Sequence, residues 1–197
     1  MCLCAFATKK SSYVRNMLKV LNAKLEQPPL SITSDFERAF LNASAKIFNN
    51  VKHFGCFFHF KQAMWRKIQA LSLVSAYKDN AHLHLKMPQA LAFLPINDVV
   101  PVFELLKQEM PSELTEFYAY VESTYIQNIV EVKPRGRNAA NRPVIRESRP
   151  PLFDISLWNV HARFGENIPR TNNFVEAWNR AFSVLYFSVF YLYLLQY

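Results

Sequence analysis

The sequence predicts an α/β fold in which a small strand-and-helix core is joined to a large all-helical insertion. Three observations carry this expectation. Residues 31–65 alternate short apolar runs with longer stretches whose apolar positions recur at steps of three and four. Beyond about residue 80 the alternation stops, and prolines punctuate a helical pattern. Glycine is scarce, with 3 in 197 residues, whereas a tight all-β fold needs more of it in turns.

The length fits one domain, or one domain carrying an insertion. Hydrophobic residues make up 51% of the chain and aromatic residues 15%, enough for a sizeable core. The formal net charge of +8 favours an anionic partner without identifying it. Three cysteines without regular spacing argue against a secreted disulfide scaffold and fit a reducing compartment. The first residues, M-C-L-C-A-F-A-T-K-K, place lysines after the apolar run, the reverse of a signal peptide. The apolar tail Val184–Tyr197 is shorter than the roughly 17 to 25 residues of a bilayer span, so no membrane partner is expected.

Taken in order, Cys2–Ala7 reads as a short buried strand. Ser11 to about Glu26 reads as a helix with Val14, Met17, Leu18, Leu21 and Leu25 on one face, ended by Pro28 and Pro29. Leu30–Thr33 is a short strand. Ser34-x-x-Glu37 has capping-box spacing and opens a helix at about Ser34, with Phe36, Ala39, Phe40, Ala43 and Ile47 inward. Val51–Phe58 reads as a strand rich in aromatics. A helix from about Phe60 to Tyr77 buries Ala63, Met64, Ile68, Leu71 and Val74. Residues 80–128 read as three helices broken at Pro88, Pro95 and Pro111, with no strand, and Leu114, Phe117, Tyr118, Val121 and Tyr125 form one stripe. Residues 131–151 carry Lys133, Arg135, Arg137, Arg142, Arg146 and Arg149 among prolines, the composition of a basic loop. Leu152–Arg163 turns apolar again, and a last helix runs from Phe174 to about Ser183.

Two acids stand out, Asp35 and Glu176, each near the start of an expected helix. Asp35 falls at the carboxyl end of a strand, where open α/β sheets place their sites. Acids gathered there hold Mg²⁺ and activate water or a 3′-hydroxyl for in-line attack at phosphate. The alternative is plain helix-dipole compensation, and Asn173-x-x-Glu176 is itself a capping-box spacing. Cys56-x-x-His59 has the spacing of half a zinc site, or else is a buried thiol followed by a helix-start histidine. The basic loop can track a phosphate backbone or be a solvated charge run. No glycine-rich phosphate loop and no local serine or cysteine nucleophile pattern is present.

Six segments, in order, carry a resemblance. They are S-D-F-E-R-A at 34–39, G-C-F-F-H-F-K-Q-A-M-W-R-K-I-Q at 55–69, L-V-S-A-Y at 73–77, A-L-A-F-L-P at 90–95, P-P-L-F-D-I-S-L-W-N-V at 150–160 and P-R-T-N-N-F-V-E-A-W-N-R-A-F at 169–182. Together they resemble the transposase domain of Mutator-like elements (MULE), from about Cys4 to Phe182.

The resemblance implies a partial ribonuclease H-like core over 1–60, a helical insertion over 61–165, and the last core helix with an atypical tail over 166–197. Such enzymes cut and rejoin DNA with an Asp-Asp-Glu (DDE) triad and divalent metal. By position Asp35 matches the second acid, Glu176 the third, and Cys56 and His59 the family's C-x-x-H motif. Mg is the implied cofactor, with Zn at Cys56 and His59 as an alternative. DNA is the implied partner, the nucleus the implied location, and a homo-oligomer is left open. Trp65 and Trp178 fall at aromatic positions expected to pack. The first triad Asp is expected on a strand ahead of the stretch that opens this chain, and the only acid before Asp35 is Glu26. The chain therefore reads as an inactive or truncated copy, because partial metal constellations fail non-additively. A non-catalytic DNA-binding or interaction module is the alternative.

Overall fold

A computed structural model describes residues 11–78, 81–132 and 145–163. The chain divides into two compact units. The described part of the first is residues 11–59, and the second begins at Phe60.

The first unit is a β-α-β arrangement with a covering helix. Helix α1 spans Ser11–Lys24 and ends before the proline pair, as its apolar spacing predicts. Strand β1 is Ser31–Ser34, helix α2 is Arg38–Ile47 and strand β2 is Lys52–Gly55. β1 and β2 run parallel, with Ser31 opposite Lys52 and Ser34 opposite Gly55. Val14 and Leu18 from α1, Ile32 from β1, Phe40 and Ala43 from α2, and Phe48 form one buried cluster. Met17, Leu21, Leu25, Ile47 and Val51 pack around it. Burying a side chain such as Leu18 or Phe40 stabilises by about 1.5–3 kcal/mol, which holds so short a sheet together.

One polar device ties α2 to β2. Ser44 is fully buried, and its Oγ lies 3.3 Å from His53 Nδ1. His53 Nε2 lies 3.3 Å from the Phe48 carbonyl oxygen. That carbonyl only accepts, so Nε2 carries the proton, and in the neutral ring Nδ1 accepts from the Ser44 hydroxyl.

The second unit is built on helices. Helix α3 spans Phe57–Ala70 and crosses the boundary between units. It is followed by α4 (Val74–Lys78), α5 (His82–Ala90), α6 (Ile96–Glu109) and α7 (Thr115–Val121), which continues into a π-helical turn, Glu122–Ile126. Pro95 precedes α6 and Pro111 precedes the short turn leading into α7, but Pro88 lies inside α5. Phe60 is stacked on Trp158 at 4.9 Å and 6° and meets Tyr125 edge-on at 5.0 Å. Leu85, Val99, Phe103, Leu114, Phe117, Tyr118 and Val121 are fully or almost fully buried. The predicted stripe from Leu114 to Tyr125 is buried throughout.

Residues 150–163 act as a strap across this unit. The Phe153 amide donates to Thr124 O at 2.9 Å, and the Val160 amide to Ala92 O at 2.8 Å. Asn159 Nδ2 donates to Leu94 O, and Arg163, almost fully buried, donates from Nη2 to Leu157 O. Asp154 caps the short helix α8 (Ile155–Trp158) by accepting from the Ser156 amide at 2.9 Å.

Several expectations are corrected. The region 61–165 is not all-helical: β3 (Asn128–Val132) pairs antiparallel with β4 (Ile145–Arg149). The β-branched run I-V-E-V in β3 favours strand over loop. Arg146 and Arg149, expected in the basic loop, therefore lie on β4. Ser34 does not cap a helix, because it is the last residue of β1, and α2 begins four residues later. The strand expected over 51–58 is Lys52–Gly55, and the following helix starts at Phe57 rather than Phe60. The helix expected to reach Tyr77 breaks after Ala70, with Ser72 in left-handed backbone (φ 59°). The strand expected at Cys2–Ala7, the last helix and the apolar tail lie outside the described residues. Among the described residues no helix is long and apolar enough to cross a membrane.

The second unit also predicts an alkaline response. Burial pushes the Tyr118 phenol up to about 12, and its hydroxyl donates to His84 O at 2.9 Å. Burial raises Tyr125 further, with help from Tyr120. For Lys107 burial works downward, but the hydrogen bond and charge of Glu122, then those of Glu104, outweigh it and raise the net value. In all three the folded-state value lies above the unfolded one. Their stabilising contribution is therefore complete below about pH 10 and is lost as pH rises above it, for Tyr118 through about 12 and for Tyr125 beyond that. Denaturant midpoints should be level from pH 8 to about 9.5 and fall steeply above 10. Tyrosinate absorbance should rise together with unfolding, and Tyr118→Phe should flatten part of that fall.

Candidate functional site

The parallel pair β1 and β2 sets the geometry. Their register aligns the carboxyl ends of both strands, Ser34 beside Gly55. The Cys56 amide donates to Ser34 O at 2.7 Å and extends the ladder by one bond. Asp35 therefore leaves one strand where Cys56 leaves the other. Asp35 is exposed while Cys56 is fully buried, so the two strand ends present a carboxylate outward and a thiol inward.

Local chemistry explains the Asp35 turn. Its Oδ1 accepts from the Glu37 amide at 3.2 Å, an aspartate turn that holds the chain extended until α2 begins. Glu37 occupies the cap position of α2 and makes no side-chain cap. Phe36 folds over the end of β2: a Cβ on Gly55 would stand 2.5 Å from Phe36 Cζ. Gly55 is thus required by a close approach that the sequence alone does not reveal. The Ser44–His53 contact is likewise invisible in sequence, since nothing in the spacing marks nine residues as a pair.

The remaining predicted residues are distributed differently. His59 is half-buried in the first turn of α3, edge-on to Phe58 at 5.5 Å. Cys56 precedes that helix, so the C-x-x-H pair spans a strand-to-helix junction. Among the described residues no group of three or more His, Cys, Asp or Glu side chains is placed to hold a metal ion. Glu176, with Lys133, Arg135, Arg137 and Arg142, lies outside the described residues. Arg149 is exposed on β4 and lies 3.5 Å from Glu147, a surface pair of little energetic consequence.

A second polar cluster lies in the helical unit. Lys107 Nζ donates to Glu122 Oε1 at 2.8 Å and lies 3.4 Å from Glu104 Oε2. Gln127 Nε2 donates to Glu104 Oε1 at 3.0 Å. One lysine serves both carboxylates and the Gln127 amide bridges them, so this network fastens α6 to the π-helical turn rather than offering an open reactive group.

No family model, curated protein or solved structure matches the chain. Function is therefore read from the residues and their placement.

Proposed function

We propose that the chain derives from a Mutator-like transposase, with a ribonuclease H-like core, and acts on DNA without cutting it. The observation that supports this most is the exposed Asp35 at the carboxyl end of a parallel strand. That is where open α/β sheets present their chemistry, and a carboxylate there is suited to a divalent ion at phosphate. Asp35 and Glu176 are two of the three acids that such a centre uses, and Mg²⁺ is the ion they would take. By themselves Asp35 and Glu176 leave a pair of divalent ions poorly neutralised, so this stretch of chain is read as holding DNA rather than cutting it. The +8 charge and the arginines of 133–149 supply that DNA contact, and the nucleus is its place of action.

Supercoiled plasmid incubated with the chain and Mg²⁺ tests this. The expected result is retention of the plasmid with no metal-dependent nicked product. Nicking that disappears in Glu176→Ala would restore the enzyme reading. Failure to retain DNA at low salt would remove the DNA reading altogether.

A further inference from the structure

Charge is segregated along the chain. From Arg38 to Lys78 there are seven Lys or Arg residues and no Asp or Glu. From Asp98 to Glu122 there are six carboxylates against Lys107 alone. Within the helical unit the acid-free run supplies α3, whose buried face is Phe60, Met64 and Ile68. At 100° per residue its opposite face carries Gln62, Arg66, Gln69 and Ala70, with exposed Arg66 at the centre.

Each flank of that face ends in an aromatic ring with a lysine over it. On one side Trp65 meets Tyr77 edge-on at 5.0 Å, and Lys86 Nζ stands 5.4 Å from the Tyr77 ring centre. On the other side Lys67 Nζ stands 5.4 Å from the Tyr120 ring centre. Trp65, Tyr77 and Tyr120 are all half-buried, so each ring has surface in reach of solvent. Among the described residues no carboxylate is paired with Arg66, Lys67 or Lys86. The acid-free surface ends at α7, where Glu116 precedes Tyr120 by one turn.

We propose that this face of α3, flanked by Trp65–Tyr77–Lys86 and Lys67–Tyr120, binds single-stranded nucleic acid. Lysine and arginine meet the phosphates, and the rings offer stacking surface to bases, a pairing that an acidic peptide does not use. A helix with its side chains is about 10–12 Å across, so the two flanks reach successive nucleotides of one strand. The choice of a nucleic acid as the polyanion rests on the function proposed above. The site shares no residue with the 133–149 arginines.

Oligothymidylate titrated into the full chain at several salt concentrations provides the test. Binding should quench tryptophan fluorescence, and Trp65→Phe should remove most of that quench. The triple variant Arg66→Gln, Lys67→Gln, Lys86→Gln should lower the slope of log affinity against log salt by about 2, since each single-strand phosphate contact contributes about 0.7. These positions lie outside the core, and an unchanged thermal transition would confirm that the variant folds. The companion variant Arg135→Ala, Arg137→Ala, Arg142→Ala should keep the quench. An unchanged slope in the helix variant, or equal displacement by polyglutamate, overturns the proposal. Loss of all single-strand binding in the loop variant alone overturns it while leaving DNA binding intact. Absence of binding to any DNA removes both readings.

Discussion

Trp158→Ala should unfold the helical unit at ordinary temperature or bring it close to doing so. Trp158 is fully buried, stacked on Phe60 and edge-on to Tyr125 at 6.2 Å. Its indole N–H donates to Tyr125 O at 3.1 Å. Truncating a buried tryptophan costs about 3–5 kcal/mol, a large share of the 5–15 kcal/mol that hold a domain together. The orphaned carbonyl adds to that cost. Trp158→Phe keeps the stack and loses the donor, so it should cost roughly 1–3 kcal/mol. Urea denaturation gives both values. Hydrogen exchange separates the units: amides of α5 to α7 should lose protection in Trp158→Ala, while those of α1 and α2 keep theirs. A loss below about 1 kcal/mol in Trp158→Ala would contradict the packing described for the strap.

The second large effect belongs to Gly55. A Cβ there meets Phe36 Cζ at 2.5 Å and Cε1 at 2.9 Å, closer than real contacts allow. The ring must swing aside to admit it, and the residue that carries the ring is the neighbour of Asp35. Gly55→Val should therefore destabilise the first unit by about 1–3 kcal/mol and also displace the Asp35 turn. Phe36→Ala removes the obstacle. The double variant Phe36→Ala, Gly55→Val should lose clearly less than the sum of the single losses, a coupling readable in a double-mutant cycle. Asp35→Asn, at an exposed position, should change stability by no more than about 0.5 kcal/mol.

These two sites show where sequence reading succeeds and where it stops. Helix α1, the burial of Leu114 to Tyr125 and the strand–helix–strand order around Asp35 were legible because apolar periodicity is a strong local signal. The boundaries were less so. Ser34-x-x-Glu37 has the spacing of a cap, but the Ser34 carbonyl is taken by the Cys56 amide, so a tertiary ladder bond overrides a local motif. The β3–β4 pair was hidden because I-V-E-V and I-R-E-S-R are short and separated by 12 residues. Each looks irregular until it meets the other. Trp65 reads as packing in sequence, and only the fold shows that it shares a flank with Tyr77 and Lys86. The acid-free run from Arg38 to Lys78 is legible in the letters, but its meaning depends on which helix face it occupies. For the site itself, sequence located Asp35 at a strand end, while the overlap of Phe36 with Gly55 is a three-dimensional fact.

The most direct test of the central claim is the affinity of the 197-residue chain for DNA across a salt series. A chain that grips phosphates through Lys and Arg releases counterions, so log affinity should fall linearly with log salt, with a slope near −0.9 per duplex phosphate contact or about −0.7 on a single strand. Several contacts predict a loss of at least tenfold between about 50 and 200 mM salt. Affinity that stays level over that range, or no binding at the low-salt end, would contradict the account.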